Sequence, residues 1–68
     1  MDATNSRIIR LPEVQRKTGL GRSSIYKHMA LGNFPQSLPM GMRAVGWLER
    51  DIDNWIAERV QAARAVTA

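Results

Sequence analysis

Residues 18–35 read TGLGRSSIYKHMALGNFP. Glycines mark both ends of this stretch, and its middle gathers Arg22, Ser23, Ser24, Tyr26, Lys27 and His28. Gly19-Leu20-Gly21 has the composition of a tight turn, with Leu20 the one side chain able to fill the angle between two flanking helices. A helix is expected from about residue 22 to 31, ended by Gly32, which tolerates the left-handed geometry of a C-cap. Ile25 and Met29 stand at i and i+4 and give that helix a narrow inward stripe. Two apolar residues are few for a helix that only fills a core. Its other side is therefore free for a partner.

The segments on either side fit this frame. Residues 7–11 (RIIRL) are short and apolar enough to be extended and to seat Ile8 or Ile9 on the core. A first helix is expected to start at Pro12, because the first turn tolerates a missing N–H and its positive dipole end suits Glu13. It should run to about Lys17 and stop at Gly19. After Asn33 the pattern changes. Residues 36–40 and 43–47 are two extended runs around Gly41-Met42 and read as a small hairpin. Pro39 cannot donate to a strand ladder, which places it on an edge or at a bulge. From Glu49 a helical period returns, with Ile52, Trp55, Ile56 and Val60 at i, i+3, i+4 and i+8. That helix is expected to end near Ala63 and fray over residues 64–68.

At 68 residues the chain makes one domain, expected over residues 7–64 with flexible tails at 1–6 and 65–68. A chain this short buries only about 60% of its unfolded surface, so its core is small. It has no cysteine and one histidine, which excludes disulfides and leaves too few ligands for a zinc site. No cofactor is expected. The sequence shows neither a signal-peptide core nor an apolar run near the ~20 residues of a membrane span. The expectation is a cytoplasmic protein with no membrane and no small-molecule substrate.

Charge is unevenly placed. Residues 1–33 carry six cations against two carboxylates, and residues 34–68 carry four of each, so the net +4 lies wholly in the first half. A local basic excess concentrates polyanions such as nucleic acid.

Helix, three-residue turn, helix is the helix-turn-helix arrangement, whose second helix lies in the major groove of double-stranded DNA. Ser23 and Ser24 can donate to phosphates or base edges, and Lys27 can reach guanine acceptors or phosphate. Tyr26 can offer its hydroxyl to a phosphate, or it can be a half-buried core aromatic. Arg16 and Lys17 complement the end of the first helix and are candidate phosphate contacts. Arg43, beside the hairpin turn, can reach a flanking groove. His28 reads as a surface histidine, and Trp47 and Trp55 read as core. An enzyme finds little support. The carboxylate cluster Glu49, Asp51 and Asp53 belongs to a helix start, and no nucleophile–base pair or phosphate loop accompanies it. A protein-binding module, using an exposed apolar side of the last helix, is the remaining alternative.

The runs RLPEVQRKTGLGRSSIYKHMALGNFP and LPMGMRAVGWLERDIDNWI resemble the AlpA family of phage and prophage regulators, related to MerR-type winged-helix excisionases. The resemblance rests on LPEV in the first helix, TGL followed by SSIY, the G-x-FP segment, and RAVGW before the acidic helix. It implies a mainly α fold with a small β-hairpin, a winged helix-turn-helix. It also implies that Arg22, Ser23, Ser24, Tyr26 and Lys27 form the recognition set and that Arg43 is the wing contact. The implied role is transcription regulation, with a directionality factor that bends DNA during excision as the alternative. Self-association on DNA is expected, since so small a domain grips few base pairs alone, and assembly of several copies along DNA would favour the excision role. Gly21 departs from the family, which usually has a capping serine there; losing that cap costs a few tenths of a kcal/mol.

Overall fold

The structure, a computed structural model, describes residues 7–67. The expected tail 1–6 and Ala68 lie outside the described residues. Element order is β1 (Ile8–Ile9), α1 (Leu11–Thr18), α2 (Arg22–Ala30), β2 (Leu38–Pro39), β3 (Val45–Leu48) and α3 (Glu49–Thr67). The molecule is mainly helical, with one small antiparallel sheet.

The three strands are ordered β1-β3-β2. Ile8 pairs with Leu48 and Ile9 with Trp47 on one side of β3, while Leu38 pairs with Gly46 and Pro39 with Val45 on the other. The hairpin is thus present, with Pro39 on an edge strand where a missing donor is tolerated. The third strand extends the two-stranded expectation. The N–H of Glu49 donates to the carbonyl of Arg7 at 2.8 Å and fastens the start of β1 to the start of α3.

Residue 9, not residue 8, faces inward, since Ile9 is buried and Ile8 half exposed. Helix α1 begins one residue before the expected proline, with the N–H groups of Glu13 and Val14 both donating to the carbonyl of Arg10. It ends at Gly19 in the left-handed conformation, φ 75°. Thr18 secures the turn that follows. Its hydroxyl donates to the carbonyl of Val14 at 2.8 Å and accepts from the N–H of Leu20 at 3.3 Å.

Helix α2 closes with a Schellman arrangement: the N–H of Asn33 donates to His28 and that of Gly32 to Met29, with Gly32 at φ 82°. The chain can reverse there without leaving the last carbonyls unpaired. Phe34 then drops into the core.

Every element except the edge strand β2 supplies a buried apolar side chain, Ile9, Val14, Ile25, Trp47 and Ile52, joined by Phe34 from the connection. Leu11, Leu20, Met29, Val45, Trp55 and Ile56 pack around them. Burying each aliphatic side chain contributes about 1.5–3 kcal/mol. Trp47 is fully buried and donates its indole N–H to the carbonyl of Pro35 at 3.1 Å. Trp55 is only half-buried, which corrects its reading as a plain core residue. Its ring meets Phe34 edge-on at 4.8 Å, its N–H donates to the carbonyl of Asn33 at 2.7 Å, and the Arg59 guanidinium covers it at 4.8 Å.

Helix α3 also differs from expectation. It continues to Thr67 instead of fraying from residue 64. Residues 61–65 (QAARA) lack an apolar stripe, but three alanines are strong helix formers and no glycine or proline interrupts them. Among the described residues, no helix is long and apolar enough to cross a membrane.

Candidate nucleic-acid interface

The core takes hold of α2 by one edge. Ile25 is fully buried and Met29 packs beside it. At 100° per residue, these two positions leave the opposite side of the helix to Arg22, Ser23, Tyr26, Lys27 and Ala30, all exposed. The five positions occupy one continuous arc of about 140°. Ser24 and His28 lie between that arc and the core and are half-buried. Ser24, a candidate contact in the sequence, thus flanks the arc and does not lie within it. His28 is likewise not a free surface residue. Its Nδ1 lies 2.9 Å from Oδ1 of Asn33, and its ring is tilted against Trp55 at 6.4 Å.

Within the arc, the Arg22 guanidinium stands 6.0 Å from the Tyr26 ring centroid, a cation–π distance that steadies both side chains. Tyr26 is 38% exposed, enough for its hydroxyl to meet solvent or a ligand while part of its ring is covered. Gly21 occupies the N-cap without a side-chain hydrogen bond. The first N–H groups of α2 are therefore not satisfied by a cap.

In the hairpin, the N–H of Met40 donates to the carbonyl of Ala44 at 2.7 Å and closes a tip of three residues, Gly41, Met42 and Arg43. Arg43 is exposed and held in the left-handed region at φ 59°.

Lys17, a phosphate candidate in the sequence, is engaged by two carboxylates. Its ammonium lies 2.8 Å from Oε2 of Glu49 and 2.8 Å from Oδ1 of Asp53. The hydrogen bonds to Asp53 and then Glu49 raise its pKa above the ordinary lysine value, and the one from Lys17 lowers that of Glu49. A cation already held by two carboxylates gains little from a phosphate. Arg16 is exposed and has no ion pair among the described residues. Arg7, which the sequence did not single out, bridges Glu13 at 3.2 Å and Glu49 at 3.3 Å.

One signal was missed in reading the chain by halves. Between Glu13 and Glu49 there is no carboxylate side chain at all. Both α2 and the hairpin lie inside this interval, and Glu49 and Asp53 at its far border are turned onto Lys17. A segment with cations and no carboxylates of its own favours anions; the carboxylates of Asp51 and Glu58 on α3 border it only beyond residues 32–35.

A shallow concavity of about 580 Å³ lies between residues 32–35 and α3, floored by Phe34 and Trp55. Among the described residues, no three histidines or carboxylates are grouped as a metal site would need.

Residues 7–60 match the family of the prophage CP4-57 regulatory protein (AlpA). The chain belongs to the AlpA family. It is 39% identical over 59 residues to the DNA-binding transcriptional activator AlpA of Escherichia coli strain K12, an alignment covering 78% of this chain and 84% of that protein. It is also 39% identical over 59 residues to the uncharacterized protein ORF88 of Enterobacteria phage P4, covering 87% of this chain and 67% of the phage protein. No solved structure matches this AlpA-family chain.

Proposed function

We propose that the chain is a sequence-specific, double-stranded DNA-binding regulator of transcription, built as one winged helix-turn-helix domain over residues 7–64. The carrying observation is the exposed arc of α2, with Arg22, Ser23, Tyr26 and Lys27 side by side in a segment free of carboxylates. The E. coli relative, a DNA-binding transcriptional activator, supports the same reading.

On this reading α2 enters the major groove. Lys27 reaches guanine acceptors, Ser23 donates to a phosphate or base edge, and Tyr26 gives its hydroxyl to a phosphate. The uncapped N–H groups at Gly21 and Arg22 favour a phosphate there. Arg22 and Arg16 add charge along the backbone, and the hairpin is the wing, with Arg43 on the flanking strand. Ser24 serves from the edge of the arc. A nine-residue helix is about 13 Å long and spans about four base-pair steps. Several copies bound side by side would lengthen the site.

The test is a titration of the full chain against a random duplex pool across a salt series, with sequencing of the bound fraction. Affinity should fall with salt, with a log–log slope of about −0.9 per phosphate contacted, and one short sequence should be enriched. Binding without enrichment would remove the specificity. No salt-dependent binding would remove the function.

A further inference from the structure

We propose that Met42 is a wedge that the hairpin tip drives between base pairs in the minor groove, so that this protein kinks the DNA it binds. The proposal rests on the DNA-binding reading above and adds a mechanism to its wing.

Met42 is 93% exposed, the most exposed large apolar residue among the described residues. The neighbouring apolar residues of the hairpin are not comparable. Met40 lies over Gly46, its Cγ close to that glycine's vacant side, and Leu38 is 38% exposed on the edge strand. Met42 alone stands clear of the sheet. Its backbone is anchored, since the bond from Met40 to Ala44 closes the loop, with Gly41 (φ 122°) and Arg43 (φ 59°) both at positive φ in the turn.

An apolar side chain at a fixed tip asks for an apolar surface, and its surroundings indicate which. Arg43 is adjacent, and no carboxylate occurs between Glu13 and Glu49. The partner must therefore be anionic outside and apolar within. Duplex DNA offers that combination, with phosphates for Arg43 and the faces of stacked bases for Met42. Methionine is among the side chains that unstack base steps from the minor groove and bend the duplex by roughly 20–90°. Dimensions agree. Two strands about 4.8 Å apart, before counting their atoms' radii, are too wide for an undeformed minor groove of about 6 Å. A tip of this breadth needs the groove opened, and an inserted wedge opens it.

The experiment uses the full chain and two short arbitrary duplexes, one with a central TA step and one a stiff A-tract. Each carries a fluorescent adenine analogue that brightens on unstacking. Wild type is expected to brighten the TA duplex and to bind it about tenfold more tightly than the A-tract, since pyrimidine–purine steps kink most readily. Met42→Ala should melt like wild type, lose the brightening and bind both duplexes alike. Met42→Leu should keep both effects. Wild type binding without brightening would overturn the wedge and leave the DNA-binding reading intact, as would a Met42→Ala variant that still unstacks the step. Failure to bind either duplex at low salt would remove both.

Discussion

The ammonium of Lys17 and the carboxylate of Glu49, 32 residues apart, meet at 2.8 Å and join the end of α1 to the start of α3. The pair has a definite pH signature. Glu49 has a lowered folded pKa, so its stabilisation is present above its ordinary value of 4.5 and is lost as pH falls through the lower folded value. Lys17 has a raised one, so its stabilisation is present below 10.5 and is lost as pH rises through the higher folded value. Lys17→Met should therefore lower Tm most across the neutral range, with the gap to wild type closing at both extremes. Thermal melts from acid to alkaline pH check this. A gap independent of pH would show that the lysine stem, not its charge, matters.

The arc on α2 predicts a separation between folding and binding. Ser23→Ala and Lys27→Ala alter exposed side chains, so stability should change by no more than about 0.5 kcal/mol. If Lys27 reads a base, its loss should cost about 1–3 kcal/mol at the enriched site and much less on arbitrary duplex. Ser24→Ala is a different case because Ser24 is half-buried; some of its effect should appear in the melt. Wild-type affinity in both exposed variants would mean another face of the protein meets DNA.

The two tryptophans should respond unequally. Trp47 is fully buried and Trp55 only half so. Trp47→Ala should cost the full 3–5 kcal/mol typical of a buried aromatic, much of what a small domain possesses. Trp55→Ala should cost roughly half of that, and the variant should retain a cooperative melt. Equal destabilisation by the two changes would contradict the burial difference.

What the sequence revealed follows from range. Gly19 and Gly32 end their helices where expected because a left-handed cap is written in one residue and its neighbours. Ile25, Met29 and Ile52 fall on the core because a helical period fixes relative angles over a few residues. The hairpin was legible from Gly41 and from the restriction on Pro39. Contacts between distant segments were not. Nothing local to Ile8-Ile9 indicates that two residues pair with β3 some forty positions later, and nothing near Lys17 points to Glu49 and Asp53. The same holds for the candidate site. The residues of the arc could be named in advance, but the half-burial of Ser24 and the capture of Lys17 depend on which elements pack beside them.

Gly46 predicts a stability effect hidden in a strand. A Cβ placed there would stand 2.6 Å from Cγ2 of Ile8 and 3.1 Å from the carbonyl oxygen of Ile9. The first contact is with a β-branched side chain and the second with backbone of the paired strand, so neither yields easily. Gly46→Ala should destabilise the fold by about 1–3 kcal/mol, the usual cost of overpacking. Denaturant unfolding at constant m-value would measure it. A stabilised variant would mean that β1 is loosely held on β3.

Arg43 makes the sharpest prediction, because folding and binding should move in opposite directions. Among the described residues it is the only non-glycine with positive φ, a conformation that costs an ordinary residue about 1–2 kcal/mol. Glycine would relieve that strain and return part of the gain as greater freedom of the unfolded chain. Arg43→Gly is thus expected to be neutral or to stabilise by up to about 1 kcal/mol. If the guanidinium grips a phosphate, the same variant should weaken enriched and arbitrary duplex by similar factors. It should also flatten the log–log salt slope by about 0.9, one phosphate's share. Arg43→Ala keeps the strain and removes the charge, so it should match glycine in binding but not in stability. Melts and salt titrations of the three proteins separate the possibilities. An unchanged slope and affinity in both variants would mean that the tip never touches DNA, leaving a helix-turn-helix whose hairpin only completes the sheet. A loss confined to the enriched site would instead make Arg43 a reader of bases.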